Sequence, residues 1–168
     1  MTVGQEGTTT PLGGARSRLL SGIREEPETV VQLILSVVGL AIAAYLTSVH
    51  YAGVPLACTK GGLVDCAAVT TSQYSVIPGT QLPITLPGIL WFVVNGGLAL
   101  AAWRGQGWAP GRLAVAHAIW GVLGLLAVFY LVYAEIVRLH KICEWCTTVH
   151  VLILVSFLLA VYRLQQEI

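Results

Sequence analysis

Four cysteines carry the reactive chemistry of this sequence: Cys58, Cys66, Cys143 and Cys146. Seven residues separate Cys58 from Cys66, and Cys143-Glu144-Trp145-Cys146 is a Cys-x-x-Cys. Pairs of this kind serve three purposes. They brace a loop as structural disulfides, they hold zinc as thiolates, or they exchange electrons as redox pairs. The Cys-x-x-Cys spacing suits a redox dithiol and a zinc knuckle alike. An apolar run follows Cys146, so the motif opens a helix. The unpaired N–H groups and dipole there stabilise a thiolate, the form that attacks disulfides. Arg138, His140 and Lys141 add positive charge nearby in sequence. A bracing disulfide needs none of this. Zinc sites usually pair two short knuckles, and the Cys58–Cys66 gap is too wide for one, so zinc stays open as the weaker reading and no metal ligand is assigned.

Three further polar residues stand out. Asn95 lies in an uncharged stretch, where an amide costs energy unless paired. It either bonds a neighbouring helix or contacts a ligand near the redox pair. His150 follows Cys146 by four residues, on the same helix side about one turn deeper. An ionisable group within a membrane segment is a functional candidate by default. Ser72 lies in the loop after Cys66. His117 reads as a packing residue far from the cysteines. Glu135 reads as solvated at a span end or bonded to the loop. Trp91 and Trp120 read first as packing, with a pocket-lining role as the alternative.

Hydrophobic residues make up 56% of the 168 residues, charged residues 10%, and mean hydropathy is +0.79. A soluble domain carries roughly 25% charged residues, so a soluble enzyme and a disordered chain are excluded. A net charge of +1 gives no basic field for nucleic acid. The uncharged gaps, from Glu28 to Lys60, Asp65 to Arg104, Arg112 to Glu135 and Glu144 to Arg163, hold 31, 38, 22 and 18 residues. A membrane span needs about 20 apolar residues. Spans are therefore expected at about 29–49, 84–103, 113–134 and 143–162. The fold class is an all-α membrane protein, a four-helix bundle with an extracytoplasmic loop and half-helix between spans 1 and 2. Asp65 suits the N-cap of that half-helix. Pro87-Gly88 falls in the first turn of span 2, where proline costs no hydrogen bond. Residues 1–28 read as a mobile cytoplasmic tail, 29–163 as the membrane domain and 164–168 as a second cytoplasmic tail. The first apolar run starts too late for a cleaved signal peptide. Lys and Arg number six on the side of the termini and three on the other. That bias puts the termini in the cytoplasm. By parity all four cysteines share one face, which is then extracytoplasmic, where disulfides persist.

The order of these elements resembles the vitamin K epoxide reductase (VKOR) family, specifically bacterial members without a fused thioredoxin-like domain. The matching elements are Cys58-x7-Cys66 with Asp65, Ser72, Pro83 and Pro87-Gly88, Asn95, and Cys143-x-x-Cys146 opening span 4. They cover roughly residues 30–162. The resemblance implies a quinone-dependent thiol oxidoreductase of the inner membrane that generates disulfides. It implies that Cys58 forms the mixed disulfide with a thioredoxin-fold (DsbA-like) partner, that Cys66 passes electrons to Cys143, and that Cys146 faces a menaquinone or ubiquinone. Ser72, Asn95 and His150 are the implied cofactor-side residues. His150 stands where the vertebrate enzymes have a tyrosine, which favours quinone over epoxide reduction. The alternatives are a DsbB-type generator, in which the Cys-x-x-Cys precedes the loop pair, a membrane subunit with structural disulfides, and a transporter with a cysteine metal gate.

Overall fold

The computed structural model describes residues 27–59, 61–104 and 110–167. Most of the expected N-terminal tail lies outside them. Four long helices dominate: α1 (Pro27–Ala52), α3 (Thr85–Trp103), α4 (Pro110–Tyr133) and α5 (Glu144–Glu167). A short helix, α2 (Cys66–Thr70), and a 3₁₀ turn (Gln73–Ser75) lie in the loop between α1 and α3. No β-strand occurs among the described residues, only isolated bridges. All four long helices are long and apolar enough to cross a membrane. At 1.5 Å per residue, α1 is about 39 Å long, more than the ~30 Å hydrocarbon core. Their outer faces are apolar too: Val37 and Phe129 are each 66% exposed. Such surfaces are stable only against lipid, and the protein is a four-helix membrane bundle.

Span 2 matches its expected limits, and the other three helices overrun theirs. α1 begins at Pro27, where the fixed proline φ suits a first turn. α4 runs on through a π-helical turn, Ala134–Leu139, and so contains Glu135 and Arg138. α5 continues to Glu167, into the expected tail at 164–168. The expected limits at 134 and 162 stand just before Glu135 and Arg163, but backbone hydrogen bonding does not stop at a charged residue. Arg163 shows why: its Nη1 donates to Thr29 Oγ1 of α1 at 2.8 Å.

Two devices hold the bundle. The first is close approach at glycine: the Phe92 ring fills the space that a Cβ on Gly39 would take, and Trp91 does the same at Gly124. The second is a buried polar network in the half away from the cysteines. Gln32 Nε2 donates to Asn95 Oδ1 at 3.2 Å and to the Ser156 carbonyl at 3.3 Å. Asn95 Nδ2 donates to Ser36 Oγ at 2.9 Å, and Asn95 Oδ1 lies 2.9 Å from His117 Nε2. One cluster thus ties α1, α3, α4 and α5. In lipid such bonds supply the association that burial of apolar surface cannot.

Gly39→Ala should destabilise the bundle by about 1–3 kcal/mol, because Phe92 is 1% exposed and must be displaced. Gly97→Ala should be neutral or slightly stabilising, since nothing lies within 4 Å of its Cβ position. Thermal unfolding in detergent checks both. Equal midpoints for the two variants would contradict the packing assignment.

Candidate functional site

The loop carrying Cys58 and Cys66 is pinned to the entry of α5 by backbone pairing. Ile142 N donates to the Leu63 carbonyl at 2.9 Å, and Asp65 N donates to the Ile142 carbonyl at 3.1 Å. Asp65 then caps α2, its Oδ1 accepting from Ala68 N at 3.0 Å. Cys66, the first residue of α2, is therefore fixed one residue from the pairing, and Cys143 follows Ile142 directly. The chain reaches that point through a tight reversal. His140 has φ 51°, and both the His140 and Lys141 amides donate to the Glu135 carbonyl.

Cys58 and Cys66 form a disulfide, with 6.1 Å between their Cα atoms. Cys143 and Cys146 are free thiols. Cys66 is 1% exposed and Cys143 0%. Both belong to one apolar cluster with Leu46, Leu56 and Val69, against which Cys58, Cys146 and Trp145 pack. The structure brings all four predicted cysteines together. Cys58, half-buried beside exposed Ala57 and Thr59, is the outer member of its pair.

The two residues inside the Cys-x-x-Cys grip the Cys58 segment. Trp145 Nε1 donates to the Ala57 carbonyl at 2.7 Å, and Thr59 N donates to Glu144 Oε2 at 3.4 Å. A Glu144 carboxylate oxygen and the sulfurs of Cys58 and Cys66 lie within 4.8 Å of one another. Sequence reasoning treated Glu144 and Trp145 as spacers; only their contacts 85 or more residues away give them a role.

Cys143 caps the N-terminus of α5, where Cys146 N donates to its Sγ at 3.3 Å. The Cys146 thiol, donating to Cys143, and the Cys146 and Trp145 amides hold the Cys143 thiol below its ordinary pKa, against burial and the Glu135 charge. The helix N-terminus acts here as the sequence suggested. The basic residues do not. Arg138 Nε donates to Tyr74 OH at 3.0 Å and Lys141 Nζ to the Gly62 carbonyl at 3.2 Å, so both serve the loop. The charged side chain at the pair is Glu135, 5% exposed, whose carboxylate faces the Cys143 amide and the Cys146 thiol.

Cys146 is half-buried and borders two cavities. One, of about 60 Å³, is shared with Glu135, His50, Tyr74 and Thr85. The other, of about 330 Å³, runs between α3 and α4 and is almost wholly apolar. Trp91 and Trp120 flank it, locked by reciprocal bonds from each indole N–H to the other's carbonyl at 3.1 Å. Both tryptophans thus pack and line a cavity. Leu90, Leu123 and Tyr130 also line it and are 59%, 51% and 47% exposed, so it opens sideways toward lipid.

Ser72, Asn95 and His150 are not brought together. Ser72 Oγ accepts from Tyr74 N at 3.2 Å and donates to the Val69 carbonyl at 2.7 Å, which caps the 3₁₀ turn. Asn95 has both ends of its amide engaged in the network of Gln32, Ser36 and His117. His150 is buried in α5. Among the described residues lining the two cavities at Cys146, none of the three appears; Thr85 does, with its hydroxyl 2.6 Å from that of Thr47.

Ultraviolet absorbance of the Cys143 thiolate should titrate with a midpoint below that of an ordinary cysteine. The sign follows from the donors at Sγ: they favour the charged form, so the thiolate persists as pH falls. Cys146→Ala removes the first of them and should raise the midpoint. A midpoint at or above the ordinary value in the parent protein would contradict the assignment.

A search among curated proteins gives no match. A family model described as the vitamin K epoxide reductase family matches residues 30–161. That stretch holds all four cysteines, the paired loop and most of the four-helix bundle, and the chain belongs to the VKOR family.

Proposed function

We propose that this chain is a quinone-dependent thiol oxidoreductase that generates disulfides outside the cytoplasmic membrane. Electrons enter from a reduced thioredoxin-fold (DsbA-like) protein at Cys58, pass through Cys66 to Cys143 and Cys146, and leave to a membrane quinone. Family membership supports thiol and quinone chemistry in a multi-pass membrane protein. The observation that carries the finer reading is the burial of Cys66 and Cys143 in one cluster, with Cys58 on its outer side and Cys146 on the cavity side.

The relay follows from thiol–disulfide exchange. A partner thiolate attacks Cys58 Sγ, the Cys58–Cys66 bond breaks, and Cys66 leaves as a thiolate. Cys66 then attacks Cys143 of the oxidised Cys143–Cys146 pair and releases Cys146. The second partner thiol resolves the mixed disulfide at Cys58 and leaves the partner oxidised. The freed Cys58 thiolate attacks Cys66 of the Cys66–Cys143 disulfide and releases Cys143. The result is the state seen here, a Cys58–Cys66 disulfide beside two free thiols. The Cys143 thiolate next closes on Cys146 as two electrons leave the protein.

A quinone supplies the two-electron sink when bound. The residues present fit one. The 330 Å³ cavity is of ligand size and apolar, ends at Cys146, and opens to the lipid in which such a molecule dissolves. Trp91 and Trp120 would hold the ring. Asn95 and His150 would then act through the bundle rather than on the ring, and Ser72 through the shape of the loop. The quinone would be menaquinone or ubiquinone.

Purified protein with a reduced thioredoxin-fold donor and a quinone should oxidise the donor and reduce the quinone together. Cys58→Ala should abolish turnover with the protein donor but leave turnover with a small dithiol. A bracing disulfide would instead leave the Cys58–Cys66 pair inert toward the donor, and that result would overturn the reading. If Cys58→Ala lost small-dithiol turnover as fully as Cys146→Ala, the order of the relay would be wrong.

A further inference from the structure

Glu135 is a buried carboxyl that the relay above leaves without a task. A carboxyl group inside a membrane bundle is costly unless it is engaged. Two features engage it. The π-helical turn widens α4 at Ala134–Leu139, and the reversal at His140 folds the chain back so that two amides donate to the Glu135 carbonyl. Its carboxylate is thereby aimed at the Cys143 amide and the Cys146 thiol, and it shares the 60 Å³ cavity with Cys146. Other titratable groups bordering that cavity are His50 and Tyr74, and Tyr74 OH is taken by Arg138. Arg138 and Lys141 are turned to the loop. Among the described residues, Glu135 is the carboxylic acid in contact with the thiol that must gain and lose a proton.

We propose that Glu135 is the general acid and base of the Cys143–Cys146 pair. The proposal rests on the relay and adds the proton to it. When the Cys66 thiolate attacks Cys143, the Cys66–Cys143 bond forms and the Cys143–Cys146 bond breaks. The electron pair of the broken bond goes to Cys146 Sγ, and the protonated Glu135 carboxyl delivers its proton there. The products are the Cys66–Cys143 disulfide, a neutral Cys146 thiol and a Glu135 carboxylate. A neutral leaving thiol cannot re-attack, so electrons move forward. When the pair is later oxidised, the Cys143 thiolate forms the S–S bond with Cys146, the Cys146 proton returns to Glu135, and the electron pair of the broken S–H bond would leave to the quinone, whose two protons would come from solvent. The carboxyl carries the proton between the two halves of the cycle, and no charged sulfur has to persist at Cys146 inside the membrane.

The first half can be read without a quinone. Quinone-free protein with both pairs oxidised is mixed with dithiothreitol, quenched in acid after increasing times and alkylated, and each disulfide is followed by peptide mass mapping. Glu135→Gln should slow loss of the Cys143–Cys146 disulfide on the order of 10²-fold. Opening of the Cys58–Cys66 disulfide should keep the parent rate, which also reports that the variant is folded. Glu135→Asp, which keeps the acid, should recover most of the loss. Parent-rate reduction in Glu135→Gln would overturn the proposal. So would equal slowing by Gln and Asp, which marks a packing role. A Cys66→Ser control, run with a reduced thioredoxin-fold protein in place of dithiothreitol because a small dithiol can bypass the loop, separates the two levels. If it reduces the Cys143–Cys146 pair as fast as the parent, electrons do not pass through the loop and the relay itself fails, whatever Glu135 does.

Discussion

A loop that carries reactive cysteines to the rim of a membrane bundle must first satisfy its own amides and carbonyls, since each one buried unpaired costs roughly 1–3 kcal/mol. The segment around Leu63–Asp65 meets that demand against Ile142. The pairing does more than satisfy the backbone. It sets the register between two stretches nearly 80 residues apart, and with it the approach of Cys66 to Cys143. The Asp65 cap, the Trp145 and Glu144 contacts to residues 57–59 and the Arg138–Tyr74 bond all lie around that pairing. The disulfide at Cys58–Cys66 closes the loop on itself. It is the backbone pairing that docks the loop on the helix entry.

The bundle divides into two halves with different chemistry. In the half away from the cysteines, polar side chains of α1, α3 and α4 bond one another, and Gln32 reaches the Ser156 carbonyl of α5. In the cysteine half, polar side chains are few and an apolar cavity separates α3 from α4. The division has a physical basis. A hydrogen-bonded network fixes helix positions at one end, and the cavity lies at the other, open toward lipid. The cavity reaches Cys146, as the proposed transfer from that sulfur to a quinone requires.

Much of this was legible in the sequence. The gaps between charged residues mark the four spans, and parity alone places the cysteines on one face. Asp65 and the Cys143 position follow from capping rules, and the structure has both. What escaped depends on helix rotation and on contacts distant in sequence. His150 is a case of rotation. Four residues turn an α-helix by about 400°, so His150 stands about 40° to one side of Cys146. The cavity lies on the other side, with Val149 and Ile153 at about −60° and −20°. Asn95 is a case of partnering: the sequence shows a lone amide, and only the register of four helices shows Gln32, Ser36 and His117 around it. Glu135 was taken as a span end because it is charged, whereas the helix continues past it and buries it.

The central claim is that Cys66 and Cys143 are the thiols that meet. A double variant, Cys58→Ala with Cys146→Ala, leaves only those two. Mild oxidation in native membranes, followed by alkylation and peptide mass mapping, reads whether they join. The structure predicts a Cys66–Cys143 disulfide formed in high yield within single molecules. Two free thiols after oxidation, or a bond only between separate molecules, would contradict the claim.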